Sequence, residues 1–222
     1  MKTPTLRQTA LALSLLAMSA FSAAATLDIK YGTAGTLGQT ISTSDTQNYL
    51  TGRMSYVDSS NNSFYAYCVE LAQDYAPAKL GFKTYTLASF DGLQATLLQG
   101  LFSSSYAGLS SATDQAAFQT AVWEIVQDTS TTGMSVVNGS GSFYLTGTGS
   151  SDPSNPLVTQ VNGYLTAAVQ YQGAAQYSLT KLTNASYQDL VVATAVPEPG
   201  SFSLLMAGLV GLGFMARRRL AG

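Results

Sequence analysis

The chemistry open to this chain turns on a single cysteine. Cys68 is the only one in 222 residues and stands in Phe64-Tyr65-Ala66-Tyr67-Cys68-Val69-Glu70-Leu71. Further along, the only tryptophan closes Gln119-Thr120-Ala121-Val122-Trp123. A thiolate that attacks a glutamine carboxamide expels ammonia and leaves an internal thioester, an activated acyl group that an amine opens to a stable amide. Histidine is absent. This excludes Ser-His-Asp and Cys-His catalysis and every imidazole metal site, and it leaves a cysteine hydrolase without its base. One cysteine also excludes an internal disulfide framework. Cys68 is therefore buried and inert, paired with another molecule, reactive, or consumed by another bond. No Asp-rich loop with calcium-ligand spacing appears, so neither metal nor cofactor is expected.

Strands and helices must position these two side chains. Alternation of apolar and polar residues predicts strands over residues 27–31, 49–57 and 64–71, the last two joined by the turn cluster 58–63. The glycines at 32, 35 and 38 read as a flexible link. On the returning strand Phe64, Ala66, Cys68 and Glu70 share one face, and Tyr65, Tyr67, Val69 and Leu71 the other. The second set is more apolar, which tips Cys68 toward the less buried face. Residues 79–90 suggest a further strand. The period then changes: Leu93, Leu97, Leu98 and Leu101 recur at helical spacing. A second helix, capped by Thr113 or Asp114, runs to about Asp128 with Phe118, Val122 and Ile125 on its apolar stripe. Gln115, Gln119 and Trp123 form a neighbouring stripe, which puts Gln119 at the border of the buried face. Glu70 and Glu124 read as exposed charge. Residues 129–151 read as loop, 152–156 as the entry to a third helix, and 177–179 and 190–193 as late strands. The expected fold is mostly β with a helical insertion at about residues 93–172, an α+β chain built on a β-sandwich or barrel.

The two ends carry addresses. Lys2 and Arg7, the apolar run 10–21 and Ser22-Ala23-Ala24-Ala25 make a signal peptide over residues 1–25, removed by signal peptidase. Residues 26–195 hold five basic and eleven acidic side chains, a net charge of −6. An acidic domain without a basic patch argues against nucleic acid as a partner. At the other end, Pro197-Glu198-Pro199 precedes an apolar stretch, 202–216, and then Arg217-Arg218-Arg219. At ~1.5 Å per residue that stretch falls short of a ~30 Å hydrocarbon core, so its association with the membrane would be transient. The arginines would hold the cytoplasmic side. The order of the three parts, over residues 196–222, resembles a PEP-CTERM sorting signal. The resemblance implies a Gram-negative, matrix-forming bacterium, an exosortase-type processing protease, and release or attachment at the cell surface or extracellular matrix.

The central region resembles the thioester domains of bacterial surface adhesins. Their aromatic-Cys-aliphatic-acidic motif matches Tyr67-Cys68-Val69-Glu70, and their Gln-x-Ala-aliphatic-Trp motif matches Gln119-Thr120-Ala121-Val122-Trp123. The resemblance implies a Cys68–Gln119 thioester, formed without a separate enzyme and spent once on an amine-bearing or exopolysaccharide surface, so the protein would not be an enzyme in the turnover sense. Tyr65, Tyr67 and Trp123 would shield the bond or simply pack the core. The competing expectation is a structural matrix protein that binds polysaccharide noncovalently, with Cys68 free or bridging two chains.

Overall fold

The alternating segments close on themselves. The computed structural model describes residues 24–130, 132–197, 200 and 206–209, with the side chains of 33–35 left aside. Nearly all of the expected signal peptide lies outside these residues, as do Glu198, Pro199 and Arg217–Arg219 of the expected sorting segment. Strands β1 (Thr26–Thr43), β2 (Tyr49–Asp58), β3 (Ser63–Cys68) and β4 (Lys83–Ala88) come first. Helices α1 (Gly92–Ser105) and α2 (Ala112–Gln127), the two-residue strand β5 (Leu145–Thr146) and helix α3 (Pro156–Gln170) follow, and β6 (Tyr177–Thr183) and β7 (Leu190–Ala195) return. The strands lie in the order β2-β3-β7-β6-β4-β1-β5, and β1 also pairs with β2. Six strands thus form a closed antiparallel barrel. The inserted helices stand against one side of it, so the sequence's choice between sandwich and barrel resolves to a barrel.

The glycine-rich stretch does not interrupt β1. Pairing with β2 runs from Ile29↔Asp58 to Gly32↔Ser55 and resumes at Leu37↔Arg53, with a shift of register between. Such a bulge bends a strand and raises its twist. Here it lets the first part of β1 reach β4, from Thr26↔Thr86 to Ile29↔Lys83, while the later part continues along β2.

Two apolar clusters result. Ile29, Tyr56, Ala66, Tyr85, Leu182 and Leu190 fill the barrel. A larger cluster between barrel and helices gathers Tyr67, Cys68 and Val69 with Phe102, Phe118, Trp123, Val161 and Leu165. The end of strand β3, Ala66 to Cys68, lies between the two, so both of its faces are covered there. That overturns the expectation of a less buried Cys68, whose exposure is 2%.

Helix α2 is the centre of the insertion. Ser111, rather than Thr113 or Asp114, caps it: the Asp114 N–H donates to Ser111 Oγ at 3.0 Å and the Ser111 N–H donates to Asp114 Oδ2 at 2.8 Å. Every residue from Gln115 to Ile125 is buried, because β1 and β2 cover one side and α1 and α3 the others. Gly100 sits at the crossing of α1 and α3, where a Cβ would run into the Ala168 carbonyl oxygen. Gly163 of α3 faces open space. Gly100→Ala is therefore expected to lower the denaturant midpoint, since backbone must move. Gly163→Ala is expected to raise stability by roughly 0.5–1 kcal/mol through helix propensity alone. Among the described residues no helix is long and apolar enough to cross a membrane.

Candidate functional site

Strand β3 ends where its partners part. On one side Tyr67↔Val191 and Cys68↔Leu190 pair it with β7, and the Val69 N–H donates to the Asp189 carbonyl at 3.0 Å. On the other side pairing with β2 stops at Met54↔Ala66. Continued in register, Cys68 would face Gly52, but no such pair forms, and Gly52 is paired only across its other edge, with Gly38 of β1. The backbone groups of Cys68 would be left bare in the core, a costly state. Gln119 takes them. The Cys68 N–H donates to Gln119 Oε1 at 2.8 Å, and Gln119 Nε2 donates to the Cys68 carbonyl at 2.7 Å. A side-chain carboxamide makes the two bonds that an opposing strand residue would have made.

One turn earlier on α2, Gln115 accepts from the Tyr67 hydroxyl through Oε1 and donates from Nε2 to the Leu109 carbonyl at 3.4 Å. Two glutamines at i and i+4 therefore fix consecutive residues of β3. Gln119 is 1% exposed, not at a border. The reason is that α2 is enclosed on all sides, which the helical period cannot report.

The aromatic residues divide. Tyr67 is buried, its ring centroid 4.9 Å from Phe118 and 6.0 Å from Phe102. Trp123 is buried between Tyr49 and Phe143, edge-on to both at 6.2 and 6.3 Å. Tyr65 points outward, 40% exposed, with the Arg53 guanidinium 3.9 Å over its ring. Two of the three aromatics thus stand with Cys68 in the helix-side core, and Tyr65 does not.

Burial pushes the Cys68 thiol up to about 12, against the opposing pull of Trp123 and of the Glu70 carbonyl, to which the thiol donates. The Trp123 indole N–H has no hydrogen-bond partner of its own, although it lies near enough to the sulfur to favour the thiolate. The reading of Glu124 as exposed charge is overturned: it is 1% exposed, and burial pushes its carboxyl up to about 8. Its Oε1 accepts from the Ser135 N–H at 3.2 Å, and its Oε2 has no partner. Glu70 is half-buried, its carboxyl raised by burial and by Asp189.

A cavity of about 130 Å³ reaches this pair, with Cys68, Gln119, Trp123, Tyr49, Tyr75 and Gln188 among its walls. Gln188 is missed by sequence reasoning. It precedes a strand in a short polar run that carries no motif, and only the closure of β7 onto β3 brings it to the site. Among the described residues no cluster of cysteine and carboxylate side chains is arranged to hold a metal ion.

Residues 195–219 match the family model described as the PEP-CTERM protein-sorting motif, a span that includes Pro197, Glu198, Pro199, Arg217, Arg218 and Arg219. The match implies exosortase processing and sorting to the cell surface. Among solved structures the chain is similar to the N-terminal domain of the Streptococcus pyogenes pilus tip adhesin Cpa, at 12% identity and TM-score 0.49, over 77% of this chain and 94% of that one. It is also similar to the N-terminal thioester domain of a surface protein from Clostridium perfringens, at 14% identity and TM-score 0.43, over 78% of this chain and 100% of that one. No curated protein sequence matches the chain.

Proposed function

We propose that the barrel domain forms a Cys68–Gln119 thioester and spends it once on an amine-bearing surface outside the cell. One observation carries this reading: the carboxamide of a buried glutamine is clamped by both of its polar atoms to the backbone of the only cysteine. In the condensation the sulfur attacks Gln119 Cδ, a C–S bond forms and the C–N bond breaks. The thiol proton leaves with the nitrogen as ammonia. Charge that develops on Oε1 faces the Cys68 N–H, a donor already in place before reaction. A carboxamide is inert in water, and fixed positioning substitutes for external activation. Burial then slows hydrolysis of the product.

The sorting motif gives such a bond a place to act. Exosortase would remove the short C-terminal helix after a transient stay in the membrane, and the domain would be released into or attached to the surface matrix of a Gram-negative envelope. Its target would be an amine there or on a neighbouring surface, the chemistry being stoichiometric rather than catalytic. Burial of Cys68 stands against a disulfide bridge between two chains.

Intact mass of the purified chain, with and without a thiol-alkylating reagent, tests the reading. The expected result is a mass one ammonia below that of the sequence, with no alkylation until methylamine is added. Full mass and ready alkylation in denaturant would return the protein to noncovalent polysaccharide binding.

A further inference from the structure

Two residues of the wall beside Cys68 each carry a buried polar atom without a partner, the Trp123 indole N–H and the Gln188 carbonyl oxygen Oε1. Leaving the Gln188 acceptor unpaired costs about 1–3 kcal/mol, so it points to a donor that visits the cavity, whereas the Trp123 N–H lies near the Cys68 sulfur. Gln188 is 1% exposed and held on two sides: Nε2 donates to the Tyr49 hydroxyl at 3.1 Å, and its backbone N–H donates to the Asp74 carbonyl at 3.1 Å. That leaves a fixed acceptor, while Trp123 offers a fixed donor near the sulfur. Among the described residues Arg53 is the one charged side chain of the wall, and no carboxylate lines it. The cavity is therefore suited to a neutral nucleophile that donates a hydrogen bond rather than to an ammonium ion.

Resting on the thioester reading, we infer that this cavity is the nucleophile's subsite, that Gln188 is a positioning residue for an unprotonated primary amine, and that Trp123 receives the departing sulfur. One amine N–H donates to Gln188 Oε1, which turns the nitrogen lone pair toward Gln119 Cδ. The C–N bond forms, the C–S bond breaks, and the electron pair goes to Cys68 Sγ facing the Trp123 N–H. The amine's second proton then converts the thiolate to the thiol, so no co-reactant is needed. A cavity of about 130 Å³ admits a small primary amine such as methylamine.

The test is the rate of methylamine capture by the full chain, wild type against Gln188→Met and Gln188→Glu, followed by intact mass. The exchange of the same thioester with 2-mercaptoethanol is followed in parallel. A thiolate needs no donated hydrogen bond, so a merely structural defect slows both reactions alike. The expected result is thioester mass in all three proteins and a roughly tenfold slower methylamine reaction in Gln188→Met, the effect of one lost hydrogen bond. Thiol exchange stays unchanged, and Gln188→Glu, which keeps an acceptor, recovers most of the amine rate. Equal rates with methylamine, or equal slowing with both nucleophiles, overturns the role of Gln188 while the thioester stands. A wild-type chain at full mass removes the thioester and the subsite with it.

Discussion

Cys68→Ala and Gln119→Ala are each expected to abolish methylamine capture, and to differ sharply in stability. The first deletes the sulfur but leaves the Cys68 backbone paired with Gln119, so the fold loses only one small buried group. The second removes both hydrogen bonds that terminate β3, at 2.8 and 2.7 Å, and orphans an N–H and a carbonyl in the core. At about 1–3 kcal/mol per orphaned group, Gln119→Ala should lie roughly 2–6 kcal/mol below Cys68→Ala, which cannot condense and keeps both bonds, in a denaturant titration. Against the uncondensed chain, Cys68→Ala should cost about 1 kcal/mol or less. The Cys68 variant is thus the cleaner control for function, and the Gln119 variant needs a check that it is folded. Methylamine incorporation by Gln119→Ala equal to that of the wild type would sink the thioester.

The second large effect is a pH dependence at Glu124. Its carboxyl ionises near 4.5 in an unfolded chain and is pushed up to about 8 in the buried site, mainly by burial. The folded state therefore holds a proton that the unfolded state has released. The contribution to stability is full below about pH 4.5 and is lost as pH rises to about 8, at up to ~1.4 kcal/mol per pH unit. Glu124→Gln should remove this slope and stand several kcal/mol above the wild type at pH 9. Asp58, Asp114 and Asp152 are shifted down by their hydrogen bonds and act at the acid end. Glu70 shifts in the same direction as Glu124, so the difference between the two proteins, rather than either profile, isolates Glu124. Parallel profiles from pH 5 to 9 would show that the carboxyl is solvated.

Periodicity located the helices and most of the strands because both depend on local spacing. The strand expected at 49–57 is β2, and the three helices begin within a few residues of their expected starts. What periodicity misplaces is depth. Alternation assigned Cys68 to the poorer face of β3, yet the end of that strand, from Ala66 to Cys68, is enclosed between barrel and helices and has no exposed face there. The charge of Glu124 and the polarity of Gln119 suggested solvent, yet α2 is enclosed on every side. The glycines of β1 read as a link, because a bulge that serves two neighbouring strands leaves no local pattern. The Cys68–Gln119 pairing was visible in two short motifs, whereas Gln188 depends wholly on barrel closure.

That closure also decides how the molecule carries tension. Strand β7 runs straight into the sorting segment, its last residue, Ala195, being the first of the matched motif. Were the chain held near this end and Gln119 bonded to a surface as proposed, the pull would enter the domain through β7. An edge strand would peel away one hydrogen bond at a time. Strand β7 has no free edge: it is bonded to β6 from Tyr177↔Ala195 to Leu182↔Leu190 and to β3 at Tyr67↔Val191 and Cys68↔Leu190. Both ladders must break before it comes free, so the C-terminal strand is clamped along both sides.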